Sequence, residues 1–310
     1  MELMYNFLTN TALSLGGSPA QTTTDMMAHR FVEIGFKQPF VLHALLALSA
    51  LHLFSKDRSN TQYFFRGVAL RDLALQQVQP QLLTIQEDDA AAVFIFAAFT
   101  GLFTLAEVIL DPRGIRTDPI EDILKCFRVM RGTATVITPH WNCLRSSWLQ
   151  PMLEHDDTAL RQAEPVQGRI PSYPAVQKLM HCLDESDKAQ MLDAADRLFA
   201  YLAASTLPNE EVRGQHFRYA HNWPIEIQAP VLEMLSRRAP SALILLAYYA
   251  VLMSQTPDAW VLKGWPEMLM SGVEQHLHGG YAELLRWPRA MLDMCHERDR
   301  QDKSPGSAEG

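Results

Sequence analysis

The sequence is poor in the features that mark most recognisable chemistries. Its four cysteines, Cys126, Cys143, Cys182 and Cys295, stand 17, 39 and 113 residues apart, with no CxxC among them. That spacing excludes a zinc cluster and a disulfide framework, and it reads as four free thiols in a reducing compartment. No run rich in Lys and Arg occurs. The formal net charge is −8, split as −1 over residues 1–150 (12 Lys+Arg against 13 Asp+Glu) and −7 over residues 151–310 (15 against 22). Neither half offers phosphate the basic surface that nucleic-acid binding requires. Charged residues make up 20%, below the usual share of about 25%. There is no sustained alternation of β-branched and aromatic residues between turns, so a sheet is not expected. The N-terminal segment MELMYNFLTNTALSLGG lacks the basic start of a signal peptide.

What is present is helix. Hydrophobic residues are 48% of 310, enough for a sizeable core. Glu2–Leu15 stops at Gly16-Gly17, and Thr24 and Asp25 cap a helix to about Phe36. Pro39 opens FVLHALLALSALHL, and Ser59 or Asn60 caps a helix through about Gln79, ended by Pro80. Glu87, Asp88 and Asp89 introduce AAAVFIFAAFTGLFTLAEVIL, where acids suit the positive helix end. Asp118-Pro119 and Thr138-Pro139 repeat the cap-and-proline start. Further starts fall near Ala175, Ser186, Pro208, Pro224, Pro240 and Pro257, and Trp223, Trp265 and Trp287 each precede a proline, as anchors where new helices begin. The fold expected is all-α, a single large multi-helix domain over residues 1–297 with a central apolar helix pair. A polar stretch at 153–174 is a possible internal division, and residues 298–310 form a disordered tail. Ala90–Ala106 and Ala242–Met253 carry no charge but run to only 17 and 12 residues, short of the about 20 that a membrane span needs, so both read as buried helices.

Catalytic and metal motifs fail one by one. Glu87-Asp88-Asp89 lacks the DDxxD spacing for magnesium diphosphate, and Asp156-Asp157 lies in the polar stretch. His43 and His52 are nine apart and point to opposite sides of a helix; His216/His221 and His276/His278 also diverge. No HExxH, GxSxG or Gly-rich phosphate loop appears. Each histidine reads as satisfied or solvated, and no metal or cofactor is expected. Glu107 and Asp111 lie four apart on one helix face near its negative end. Arg113 or Arg116 neutralises them, or they form a polar pair at the mouth of an apolar cavity.

Several stretches, in order, resemble one family. PFVLHALLALSALHL at 39–53 is similar to the "HPFLLHGLLALSALHLA" signature of the fungal binuclear zinc-cluster transcription factors of the sterol uptake control type. ELMYNFLTNTALSL, DDAAAVFIFAAF, FRVMRG and WNCLRSSWLQPML follow the same pattern, as do WPIEIQAPVLEML, APSALILLAYYAVLM, WVLKGW and LLRWP. The resemblance covers about residues 2–295. It implies an all-helical effector domain that holds a hydrophobic, sterol-like, terpenoid or polyketide molecule and acts in the nucleus or cytoplasm, with a protein partner or a second copy. The lining it implies is Phe96, Phe99, Phe103, Met130, Trp141, Trp148, Tyr248 and Tyr249. The zinc cluster would precede Met1, so direct DNA binding is not expected of these residues. Tyr248 stands where the family often has histidine, and Met27-Ala28-His29 where it has tryptophan. The alternative is a free-standing cyclase or isomerase of secondary metabolism using the same pocket, with His43, Glu107, Asp111, His140 and Tyr248 as its candidate groups.

Overall fold

The computed structural model describes residues 1–15, 21–83, 85–114, 118–153, 167–168, 170–206, 216–256, 258–277 and 279–302. Among these residues every regular element is a helix. The chain divides into two compact units: Met1–Thr117 with Lys125–Asp156, and Asp118–Leu124 with Asp157–Gly310. The division between the units at 156/157 lies within the polar stretch 153–174.

The first unit begins with a helix of three parts, α1 (Glu2–Asn6), a π-helical turn (Phe7–Thr11) and α2 (Ala12–Leu15). Then come α3 (Gln21–Lys37), α4 (Pro39–Lys56), α5 (Thr61–Val78) and α6 (Ala90–Leu110). The helix expected from Thr24 starts earlier, at Gln21; the Gly16-Gly17 stop lies outside the described residues. Pro39 sits in the first turn of α4 as its spacing predicts, where its missing N–H costs nothing. Asn60 holds the cap position of α5 without a side-chain bond, while the Ser59 N–H and hydroxyl both donate to Asp57 Oδ1 (3.0 and 2.6 Å). Three contacts set the packing of α4, α5 and α6. Phe40 meets Phe96 edge-on (5.7 Å), Phe54 meets Phe64 (5.6 Å), and His43 Nδ1 lies 2.8 Å from Gln77 Oε1. Helix α5 therefore runs antiparallel to α4. Gly67 permits their close approach, since a Cβ there would lie 3.1 Å from the Ala47 carbonyl oxygen.

Helices α4 and α6 are long and apolar enough to cross a membrane, at 18 and 21 residues. Most of each is buried, 61% and 67% of the apolar window, as befits core helices. The expectation that α6 is too short to span is corrected, because the helix runs on through Glu107 to Leu110.

Helix α7 (Pro119–Ile137) opens on Asp118, whose Oδ1 accepts the Ile120 N–H (2.8 Å). A 3-10 turn (Thr138–His140), α8 (Trp141–Arg145) and α9 (Gln150–Leu153) follow. The second unit then adds α10 (Tyr173–His181), α11 (Glu185–Ser205), α12 (His216–Glu226), α13 (Ala229–Ser236), α14 (Pro240–Ser254), α15 (Trp265–His276) and α16 (Ala282–Asp302). Helix α14 is apolar on every side, and each residue from Ser241 to Met253 is buried. Such a helix needs neighbours all round, and α10 to α13, α15 and α16 all pack on it.

Two of the three Trp-Pro pairs depart from expectation. Trp265-Pro266 does open a helix, but Pro224 and Pro288 lie inside α12 and α16. An interior proline leaves the carbonyl four residues back without its helical donor. Those carbonyls belong to Ala220 and Leu284. Tyr249 donates its hydroxyl to Ala220 O (2.8 Å) and Tyr248 to Leu284 O (2.9 Å). Their rings stack on the tryptophans beside the same prolines, Tyr249 on Trp223 (4.9 Å) and Tyr248 on Trp287 (5.6 Å). The starts near Pro208 and Pro257 lie outside the described residues. Helix α16 continues to Asp302 through part of the segment expected as tail.

Candidate functional site

The lining residues proposed from the sequence fall into two groups. Those of the first unit cluster along α6. Phe99 is the centre: Phe7 packs on it from the π-helical turn (5.8 Å) and Phe31 from α3 (5.6 Å). Trp148 packs in turn on Phe31, its ring tilted (5.9 Å). Met130 lies over Gly101, where an added Cβ would come within 3.4 Å of its Cγ. Phe103, one turn beyond Phe99, lies beneath the Arg71 guanidinium (5.0 Å to the ring centre). Trp141 is half-buried. Tyr248 and Tyr249 belong to the second unit, where proline-freed carbonyls take both hydroxyls. Burial pushes the Tyr248 phenol up to about 12, so it is a neutral donor.

Between α4, α5 and α6 runs a crevice lined by Ala44, Ala47, Arg71, Ala74, Phe99, Thr100 and Phe103, too narrow to seat a water molecule. Alanines on α4 and α5 bring the backbones close to α6, and the two phenylalanines fill the gap. Arg71 closes one end with a two-pronged bond to Glu107, Nη1 to Oε2 (3.1 Å) and Nη2 to Oε1 (3.2 Å), and its Nε also reaches Asp72 (2.7 Å). Both partners of the Arg71–Glu107 pair are about one-quarter exposed or less (22% and 24%). This is more than a loose surface ion pair, with Phe103 shielding one face of the guanidinium.

The candidate acid–base groups have separate partners. Glu107 is held by Arg71 rather than by Arg113. Asp111 receives Arg113 Nε (2.9 Å) and Nη2 (2.7 Å), as the neutralising reading foresaw for that residue. Arg116 lies outside the described residues. His43 pairs with Gln77, and His140 sits half-buried at the end of its 3-10 turn. Among the described residues no group of three or more His, Cys, Asp or Glu converges as a metal site would. Cys126 is buried, Cys143 and Cys295 are half-buried, and Cys182 is exposed, all of them thiols.

One polar cluster escaped the sequence reading. Asn6 Nδ2 donates to Ser49 Oγ (2.9 Å), Ser49 O (3.2 Å) and Thr11 Oγ1 (3.1 Å). Ser49 Oγ donates to Leu3 O (2.7 Å), and Thr11 Oγ1 shares a hydrogen bond with His52 Nδ1 (3.0 Å). All four side chains are buried. Burial first and Lys56 second pull the His52 imidazole down to about 4. Asn6 and Thr11 are five apart, a spacing that diverges by about 140° on an α-helix. The π turn, with Ala12 N–H bonded to Phe7 O, returns position i+5 to the face of position i. Sequence periodicity gave no hint of it.

The first unit is also where the clearest likeness to known proteins falls. Residues 3–108 match the fungal specific transcription factor domain. The chain is further similar to Sterol uptake control protein 2 of Candida albicans (strain SC5314 / ATCC MYA-2876), with 21% identity over 296 residues. That alignment takes in 90% of this chain and 40% of the relative, so the chain spans less than half the length of the curated protein it matches. No solved structure matches. The family model thus lies within the first unit, and the likeness to the relative extends over nearly the whole chain.

Proposed function

We propose that this chain is the ligand-sensing effector domain of a fungal transcription regulator, and that it takes a hydrophobic small molecule of sterol-like, terpenoid or polyketide type. The observation that carries the proposal is the paired likeness, residues 3–108 to the transcription factor domain and nearly the whole chain to a sterol uptake control protein. The α6 cluster supports it with an apolar aromatic surface around Phe99 and one satisfied ion pair at its rim. A receptor for a lipophilic molecule needs those features, with few polar groups to fix orientation. The enzyme reading has less behind it, since His43, Glu107 and Asp111 are each engaged with a different partner. The regulator acts inside the cell, in nucleus or cytoplasm, with a protein partner or a second copy.

The test is a reporter assay. Residues 1–310 fused to an unrelated DNA-binding module should change reporter output when cells are depleted of sterol, and the isolated chain should not retard DNA in a gel at physiological salt. Output that ignores sterol depletion and depletion of terpenoid and polyketide precursors alike would refute the sensing role. Sequence-specific retardation by the chain alone would refute the division of labour.

A further inference from the structure

We propose that the N-terminal helix, residues 2–15, is a releasable plug whose Phe7 side chain occupies the apolar ligand position of the first unit. The proposal rests on the ligand-sensing reading and says how that site is regulated. Phe7 is fully buried against Phe99, the residue on which Phe31 also packs. Phe99 also lines the adjoining α4–α5–α6 crevice, which is too narrow even for water. A flat apolar ring system can reach the Phe99–Phe31 surface by taking the place of this ring, which is itself such a group.

The way the helix is fastened suits release. Of residues 1–15 only Leu3, Asn6, Phe7, Thr11 and Ala12 are buried. The rest of the fastening is polar: the seam Asn6–Ser49, Ser49–Leu3 and Thr11–His52, and the Tyr63 hydroxyl of α5 donating to the exposed Glu2 carboxylate. Apolar surface lifted from a core gains nothing from water, whereas amide, hydroxyl and imidazole groups exchange their protein partners for water and lose little. The same groups hold the closed state to one register, because the π turn sets Asn6 and Thr11 on the face that bonds Ser49 and His52 of α4. Helix α4 is fixed differently, with Phe40, Val41, Leu45, Leu48, Leu51 and Phe54 almost wholly buried. Opening of the plug is therefore a local event that leaves α4 and α6 in place.

Hydrogen exchange read by mass spectrometry on the full chain, with no ligand added, tests the opening. Amides of residues 7–15 should exchange at least about 10-fold faster than those of α4. Ser49→Ala, which removes a donor and an acceptor from the seam, should widen that gap by about a further 10-fold without changing α6. Simple fraying of a chain end would not respond to Ser49→Ala. Phe7→Ala should raise the fluorescence of added 1-anilinonaphthalene-8-sulfonate and tighten binding of ergosterol. Equal protection of residues 7–15 and α4, or acceleration of all three helices together by Ser49→Ala, would overturn the plug. Ergosterol binding by the wild-type chain with no faster exchange in residues 7–15 would overturn the plug and leave the sensing role standing. An opening helix in a chain that binds neither compound, even as Phe7→Ala, would overturn the sensing role and with it the assignment of Phe7 to a ligand position.

Discussion

Tyr248 and Tyr249, neighbours in one buried helix, each complete a different helix that a proline has interrupted. Each hydroxyl replaces the amide donor that Pro288 or Pro224 lacks. Leaving such a carbonyl unpaired and buried costs about 1–3 kcal/mol, so Tyr248→Phe and Tyr249→Phe should each lower stability by about that much. Restoring the amide should reverse the loss. Tyr248→Phe combined with Pro288→Ala should be less destabilised than Tyr248→Phe alone, because the new N–H at position 288 supplies Leu284 O. Denaturant titration of the four proteins in a double-mutant cycle measures the coupling, and strict additivity would contradict the account. His52 and His221 provide a second test. Burial first draws both imidazoles from 6.5 down to about 4, and His221 Nδ1 is buried with no hydrogen-bond partner among the described residues, against the expectation that every histidine is satisfied or solvated. Above pH 6.5 neither state is protonated and nothing is lost. As pH falls from 6.5 towards 4 the unfolded chain takes up protons that the folded chain refuses, so stability declines, by up to about 3 kcal/mol per histidine. His52→Gln should flatten that limb of a stability–pH curve, and an unchanged slope would count against the burial of His52. At this scale the sequence was hard to read. It gave no sign of the carbonyls that take the Tyr248 and Tyr249 hydroxyls, because these lie 36 and 29 residues away and only the fold brings them near.

Helices were legible wherever their signals are local. The cap-and-proline starts at Pro39, Pro119, Pro240 and Pro266 all open helices, since the geometry is fixed within a turn. Interior prolines carry the same local letters, so Pro224 and Pro288 were misread; what distinguishes them is a tertiary donor. The π turn was invisible for the same reason, as its cause is the polar partner on α4. The end of α13 shows an element finished by distant residues. Arg238 takes the left-handed backbone conformation (φ 57°) that residues with a Cβ seldom adopt. Its guanidinium donates to Leu235 O (3.1 Å) and Ser236 O (2.9 Å), the last carbonyls of α13, and pairs with Asp118 at the start of α7. Burial raises the Asp118 carboxyl, but Arg238 and the Ile120 N–H together hold it below its ordinary range. Arg238→Gly keeps the backbone conformation and loses the bonds, whereas Arg238→Ala loses both. Thermal denaturation should rank wild type above Arg238→Gly, and Arg238→Gly above Arg238→Ala by about 1 kcal/mol. Arg238→Ala as stable as Arg238→Gly would show that the left-handed turn carries no strain.

At the scale of the whole molecule, composition was enough for the class: an acidic chain, almost free of strand signals and rich in chargeless helix, folds as helices throughout the described residues. Each compact unit centres on its own apolar helix, α4 and α14, and periodicity does not say which helices share a core. Nor did the sequence join Phe7 to Phe99 or Ser49 to Asn6, contacts between motifs far apart in sequence, or show that Phe31 and Arg71, outside the motifs, pack against α6. On the proposed function, this fold receives a lipophilic ligand without converting it. Equilibrium binding of radiolabelled ergosterol, and of a panel of terpenoids and polyketides, to purified residues 1–310 tests it most directly, with the bound compound extracted and identified by mass spectrometry. At least one compound should bind saturably and be recovered unchanged, with a melting temperature that rises with its concentration. Recovery of a rearranged or cyclised product, or no saturable binding across the panel, would contradict it.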